Sequence, residues 1–296
     1  LGGAADRVHR DHVAMVPLMP PRPFGDTCCV SDQSNARVTF LGHATILIEI
    51  DGVRVLTDPI LRERVGPLTR TSGPPAHELY ADIDAVLISH SHWDHLDYGS
   101  LKLMGYDVPL VARTGMATEF ASRGFRDITE LEPGEAKTVG GVRIEAVHAA
   151  HKGFGPPVGG TELCLGFIIH GSQSVYFAGD TAFFDGMAEF DIGLDLALLP
   201  VWGWGPTAKP HEHLDPMGAA RATAVIKPRI AVPIHWGTLH PVGMSWMRPS
   251  TRIDPPHQFA QLVRRMAPDT TVRVLPNGGS LTVPSRSKRS IPRDSD

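Results

Sequence analysis

The run Ser89-His90-Ser91-His92-Trp93-Asp94-His95 constrains this 296-residue chain more than any other stretch. It follows Ala85-Val86-Leu87-Ile88, an apolar run that reads as a buried strand. Side chains on an extended chain alternate faces, so His90 and His92 project to one side at the strand's carboxyl end. Asp94 and His95 then come from the turn beyond it. Three neighbouring imidazoles compete for partners and repel one another once protonated, so holding them together is costly without a metal. Nitrogen and carboxylate donors at this density suit zinc or a similar borderline metal.

Composition narrows the class. Apolar residues make up 42% of the chain and charged residues 20%, an ordinary soluble balance with material for a sizeable core. The length fits one large domain or two modest ones. A formal charge of −4 without a long basic block argues against a nucleic-acid groove. No stretch approaches the ~20 apolar residues of a transmembrane helix. The run 13–19 is too short, and broken by Pro17, to be a secretory leader. The chain begins with Leu1, which leaves open a missing upstream segment. Cys28, Cys29 and Cys164 are an odd set without paired spacing, so a disulfide framework is not expected and a cytoplasmic location is. The Cys28-Cys29 pair reads as a plain loop, with metal binding as the alternative.

Three segments are expected: an irregular, Pro-rich arm at 1–35, a folded domain at 36–283 and a disordered, Ser- and charge-rich tail at 284–296. Strands are predicted at 38–41, 45–50 and 53–57, the last two joined by an Asp51-Gly52 hairpin turn. Residues 61–80 carry Gly and Pro without a period and read as a surface loop. Strand 85–89 leads into the His cluster. A helix over 115–123 ends at Gly124, and strands follow near 136–147 and at 164–170, 174–178 and 194–200. Asp215-Pro216 starts a helix running to about Lys227. Strand 230–234, a helix over 256–266 opened by Asp254-Pro255, and short strands near 271–275 and 280–283 complete the chain.

Three more polar residues sit at the carboxyl edges of apolar strands, where open sheets place their sites: His151, Asp180 after Val175-Tyr176-Phe177-Ala178-Gly179, and His235 after Ala231-Val232-Pro233-Ile234. Singly each reads as an ordinary capped or hydrogen-bonded residue. Together with 90–95 they complete a metal site.

These segments resemble the metallo-β-lactamase superfamily, whose His-x-His-x-Asp-His signature stands here at 90–95. Within it the chain is most similar to the branch of N-acyl-phosphatidylethanolamine-hydrolysing phospholipase D and ascorbate-6-phosphate lactonase-like proteins. The shared segments are Phe40-Leu41-Gly42-His43-Ala44-Thr45, Leu56-Thr57-Asp58-Pro59, 88–98, Phe177-Ala178-Gly179-Asp180-Thr181, 195–200, His213-Leu214-Asp215-Pro216 and Ile234-His235-Trp236-Gly237-Thr238.

The resemblance implies an α/β fold, a four-layer αβ/βα sandwich of two mixed sheets with helices on the outer faces and the site in a shallow cleft at one edge. It implies two divalent ions, expected to be Zn²⁺, with His90, His92 and His151 on one, Asp94, His95 and His235 on the other, and Asp180 bridging. A metal-bridging hydroxide would attack the substrate, with Asp94, Asp180 and His213 as the catalytic group. Asp58 is expected to orient a ligand histidine from behind, a turn residue being the alternative. His213 either handles a substrate oxygen or is a surface histidine, and His43 supports a ligand or lines the pocket. Trp202 and Trp204 either wall the pocket or anchor their loop. After His151 stands Lys152-Gly153-Phe154-Gly155-Pro156-Pro157, whereas this branch carries an aromatic or small residue and then basic residues there, so a phosphate-contacting arginine is absent or moved.

The expected activity is hydrolysis of a phosphodiester such as an N-acyl-phosphatidylethanolamine-like lipid, with a small-molecule or lipid-derived substrate as partner, no nucleic acid, and a homodimer left open. A lactonase or phospho-sugar hydrolase is the alternative within the class. A di-iron redox protein on the same fold is the alternative outside it; His92 stands where such proteins typically carry a glutamate.

Overall fold

Asp51 and Gly52 both take left-handed backbone, φ +50° and +80°, the geometry that a two-residue hairpin turn requires. They join Thr45–Ile50 to Val53–Thr57 with Ile50 facing Val53, as the sequence predicts. The computed structural model describes residues 35–153, 162–203, 212–243 and 250–286. The arm expected at 1–35, with Cys28 and Cys29, lies outside them apart from Asn35, as do Trp204 and the tail beyond 286.

One seven-stranded sheet runs, in spatial order, Ser280–Thr282, Arg37–Gly42, Thr45–Ile50, Val53–Thr57, Ala85–Leu87, Leu110–Arg113 and Ile128–Leu131. The other runs Thr271–Val272, Ile230–Ile234, Leu196–Pro200, Ser174–Phe177, Glu162–His170, Val142–Gly153 and Ala136–Val139. Each sheet is half antiparallel and half parallel. The parallel half of the first begins where Val53–Thr57 pairs with Ala85–Leu87, and that of the second where Ser174–Phe177 pairs with Leu196–Pro200. All these residues fall within one compact unit, Asp32–Asp296.

Alternation along the strands sorts side chains into layers. Ile46, Ile48 and Ile50 meet Leu165, Phe167 and Ile169 between the two sheets. On the outer face of the first sheet Leu47, Leu56 and Val86 pack with helices α1 (Tyr98–Met104) and α2 (Ala117–Ser122) through Leu101 and Phe120. Beyond the second sheet Tyr176 and Leu199 pack with α3 (Pro216–Ile226) and α4 (Ser250–Met266) through Ala219 and Phe259. The order is helices, sheet, sheet, helices, as the resemblance implies. Strands covered on both faces have no polar side to show, which is why 85–88 reads as an unbroken apolar run. Each fully buried Phe or Ile in these layers contributes roughly 1.5–3 kcal/mol.

Asp215 caps α3 by accepting from the Gly218 amide at 2.7 Å, with Pro216 in the first turn, and Lys227 ends it in left-handed backbone. Three readings need correction. Residues 61–80 are not one irregular loop: Arg64–Val65 and Leu68–Arg70 form a hairpin that a third strand, Leu239–Pro241, completes, and a short 3-10 turn covers His77–Leu79. Helix α1 has no counterpart in the sequence reading, although Asp97 caps it through the Gly99 and Ser100 amides. Helix α4 starts before Asp254 and carries Pro255 and Pro256 inside it, so its second turn gives up two backbone donors. The first residues of the expected tail are held to the body, Ser285 donating to Asn35 Oδ1 at 2.8 Å and Arg286 to Asp195 Oδ1 at 3.0 Å. Among the described residues no helix is long and apolar enough to cross a membrane.

Candidate metal centre

The carboxyl ends of the parallel strands in both sheets deliver the polar residues to one place. After Ala85–Leu87 the chain carries His90 and His92, then turns back through bonds from the His95 and Leu96 amides to the His92 carbonyl at 2.9 and 2.8 Å, which sends Asp94 and His95 to the other side. Asp180 follows Ser174–Phe177 across Gly179, whose φ is +59°. A Cβ at Gly179 would lie 2.8 Å from the Ser89 Cβ and 2.9 Å from the Leu165 carbonyl, so glycine is required where the two loops meet. His235 follows Ile230–Ile234. His151 lies within Val142–Gly153 rather than beyond a strand, at a register shift between Ala149 and Gly153 that re-aims the chain. His43, Asp58 and His235 all hold left-handed backbone, at φ +57°, +33° and +60°. Non-glycine residues are rare there, and three at one site is the kind of strain that clusters where function is built.

Two groups of four donors result, each with its donor atoms within 4.8 Å of one another: His90, His92, His151 and Asp180, and His43, Asp94, His95 and His235. In the first, His92 Nδ1 lies 2.9 Å from His90 Nε2 and 3.4 Å from His151 Nε2. In the second, His95 Nε2 lies 3.1 Å from His235 Nε2, and Asp94 Oδ2 lies 3.4 Å from His235 Nε2 and 3.7 Å from His95 Nε2. Asp180 touches both groups. Its Oδ2 is 3.3 Å from His95 Nε2 and 4.0 Å from His90 Nε2, and its Oδ1 is 3.2 Å from His235 Nε2. The predicted donors converge.

Hydrogen bonds behind the rings decide which nitrogen faces the centre. His151 Nδ1 donates to the Glu212 carbonyl and His235 Nδ1 to the Trp202 carbonyl, both at 2.6 Å. His95 Nδ1 donates to Asp58 Oδ2 at 2.7 Å. Ser89 donates its hydroxyl to the same oxygen at 2.6 Å and so receives its own bond from His90 Nδ1 at 2.9 Å. The Nε2 lone pairs of His90 and His151 are thereby turned inward beside His92 Nδ1, where a shared cation could take them up.

Charge points the same way. Burial, reinforced by the neighbouring His95 charge, holds His90 well below the usual imidazole range. Burial lowers His92 as well, and brings His151 to about 4. Burial also opposes charge on Asp94 and Asp180, yet His95 and His235 hold both well below the usual carboxylate range. His95 itself is buried, but Asp180 and Asp94 outweigh that and raise it far above its ordinary value. His90, His92 and His151 are thus neutral nitrogens, and the charged carboxylates that hold a proton on His95 would hold a divalent cation in its place. The residues fit a metal.

His213 stands at the edge of this cluster, its side chain 15% exposed and its Nδ1 3.3 Å from Asp180 Oδ2. Asp58, fully buried, accepts from the Ser89 amide at 2.8 Å besides its two other bonds, which is a support for His95 rather than a turn position alone. Trp202 is buried and acts at the centre through its backbone carbonyl. Sequence reasoning gave no role to Ser89 or to the Glu212 and Trp202 carbonyls. A hydroxyl directly before His90 was a usable signal; a carbonyl leaves none. Trp93, between two donors, is 61% exposed and walls a cavity of about 350 Å³ with Val65, Leu96 and Tyr98.

The family model for the beta-lactamase superfamily domain matches residues 53–236. An uncharacterised protein of Mycobacterium tuberculosis is 32% identical over 257 residues, 81% of this chain and 68% of that protein. The N-acyl-phosphatidylethanolamine-hydrolysing phospholipase D 1 of Caenorhabditis elegans is 31% identical over 241 residues, 71% of this chain and 66% of the nematode protein. A UPF0173 metal-dependent hydrolase of Opitutus terrae is 31% identical over 83% of this chain and its own full 100%. Among solved structures, the metallo hydrolase Igni18 of Ignicoccus hospitalis superposes with TM-score 0.65 at 24% identity, over 84% of this chain and 98% of its own. CmlA, a diiron β-hydroxylase of Streptomyces venezuelae, superposes with TM-score 0.61 at 18% identity, over 83% of this chain and 53% of its own. Those two likenesses are of fold.

Proposed function

This chain belongs to the beta-lactamase superfamily, among its metal-dependent hydrolases, and we propose that it uses two divalent cations, zinc by preference, to hydrolyse a phosphodiester of the N-acyl-phosphatidylethanolamine type. The observation that carries this reading is the position of Asp180, whose two carboxylate oxygens lie against histidines of both donor groups. His90, His92 and His151 would hold one ion, Asp94, His95 and His235 the other, with Asp180 between them. Such a pair acidifies water and polarises a phosphoryl oxygen.

The protein's part is orientation. Asp58, Glu212 and Trp202 fix the rings of His95, His151 and His235 from behind. His213, whose Nδ1 lies 3.3 Å from Asp180 Oδ2 at the edge of the cluster, would pass a proton to the leaving oxygen. Trp93, 61% exposed and between two donors in the sequence, would offer an apolar surface to a substrate with an apolar arm. The nitrogen-rich donor set favours zinc. A reducing cytoplasm suits an odd set of three cysteines without paired spacing.

The test is turnover of bis-p-nitrophenyl phosphate, an N-acyl-phosphatidylethanolamine and a lactone by the zinc-loaded protein. We expect the two phosphodiesters to be cleaved. Turnover of the lactone alone would replace the phosphodiester reading with a lactonase. Iron as the sole metal, with an oxygen-dependent activity, would replace both.

A further inference from the structure

We propose that His43 is the positioning residue for the Asp94 carboxylate, and that through it the cation site of Asp94, His95 and His235 gains much of its hold on a metal. The inference rests on the two-cation reading above and adds a residue that acts on one site and not the other.

His43 lies in the turn between Arg37–Gly42 and Thr45–Ile50, with its side chain fully buried. Its Nε2 is 3.0 Å from Asp94 Oδ2, and its ring centroid is 3.8 Å from that of His235. Its backbone is tied to the same neighbourhood: its amide donates to Thr238 Oγ1 at 2.9 Å, and its carbonyl accepts from the His235 amide at 2.8 Å. One residue therefore grips two donors that arrive on different sheets, Asp94 from the first and His235 from the second.

Asp94 Oδ2 is also the oxygen turned toward His95 Nε2 and His235 Nε2. A carboxylate oxygen has two lone pairs, so one can face the centre while the other accepts the His43 N–H. A carboxylate free to rotate about its last bond pays entropy on binding; one already hydrogen-bonded is preorganised. A carboxylate accepts and does not donate, so His43 serves here as a donor to Asp94.

The turn is held rigidly enough to do this. Gly42 has φ +116°, and a Cβ there would lie 2.5 Å from the Thr238 Cγ2 and 3.0 Å from an Arg70 nitrogen. Arg70, itself buried, donates to the Leu41 carbonyl and, at 2.8 Å, to that of Ile60. The strand end that carries His43 is thus fixed to the hairpin beside it.

Zinc titration of the chelator-stripped full chain against a chromophoric competitor, with bound metal counted by mass spectrometry, tests the proposal without any substrate. His43→Phe keeps a buried ring and loses the donor, His43→Ala removes both, and His43→Gln restores an N–H at the position of Nε2. Wild type should take two ions. The Phe and Ala variants should keep one at wild-type affinity and bind the other about 10- to 100-fold more weakly, as loss of a supporting bond to a ligand does. The Gln variant should recover most of that loss. Two wild-type affinities in the Phe variant, with its circular dichroism unchanged, would overturn the proposal and leave the hydrolase reading intact. A Gln variant as weak as Phe would overturn it too, since restoring the donor would then restore nothing. Fewer than two ions on the wild type would remove the two-cation reading and this inference together.

Discussion

Asp58→Asn exchanges one oxygen for an NH₂ group and leaves the shape of the side chain unchanged, yet the bonds around it set its consequence. The retained oxygen can still accept from the Ser89 amide, now at 2.8 Å. The new NH₂ would face Ser89 Oγ at 2.6 Å and His95 Nδ1 at 2.7 Å. The serine hydroxyl can rotate and accept. The imidazole has no such freedom: two N–H groups would point at each other unless His95 moves its proton to Nε2, the atom 3.1 Å from His235 Nε2. That is the nitrogen needed by the cation, so the exchange silences one donor while keeping the fold. Loss of such a support weakens metal binding about 10- to 100-fold, or about 1.4–2.8 kcal/mol at 1.4 kcal/mol per tenfold. Competition between the variant and a chelator for zinc reads this directly, and excess zinc should restore part of the lost hydrolysis. Wild-type affinity for both ions in the Asp58→Asn protein would refute the tautomer argument.

Other outcomes follow from the same geometry. Asp180→Asn should lose one bound metal equivalent and nearly all turnover, because its carboxylate lies against histidines of both groups; wild-type turnover would count against a shared ligand. Phe167→Ala, fully buried between the sheets, should lower the unfolding free energy by about 3–5 kcal/mol in urea titrations, and a loss under ~1 kcal/mol would mean that this layer is not core. Burial opposes the charge on Asp195, but Arg229 at 2.7 Å, the Ser174 amide and Arg286 hold its carboxyl below the ordinary 3.8. A depressed carboxylate stabilises the fold fully above that ordinary value and stops doing so as pH falls through its folded one. The stability gap between wild type and Asp195→Asn should therefore be constant above pH 3.8 and shrink as acid is added below it; a gap that persists in acid would refute the pairing.

The donors were legible in the sequence because each is a polar residue at or near the end of an apolar run, and parallel strands covered on both faces leave few other reasons for one there. Asp51-Gly52 and Asp215-Pro216 were legible because their chemistry is local, a pair of left-handed residues and a capped helix start. Helix α1 was missed although Asp97 with Ser100 three residues on was a cap signal, since seven residues give barely two turns of period. The hairpin at 64–70 was illegible for another reason: strands of two and three residues show no alternation, and their partner at Leu239–Pro241 lies far along the chain. The Glu212 and Trp202 carbonyls belong to every residue type and so leave no mark at all.

The left-handed backbone at His43, Asp58 and His235 sets the protein's evolution against its own robustness. An L-residue in that region gives up about 1–2 kcal/mol that glycine would not. Glycine would relieve that strain at each place but would also strip out a buried side chain that bonds or sits among the donors, so backbone strain and metal binding are kept or lost together. Directed-evolution libraries of this protein should accordingly be screened for bound zinc in the same round as for melting temperature.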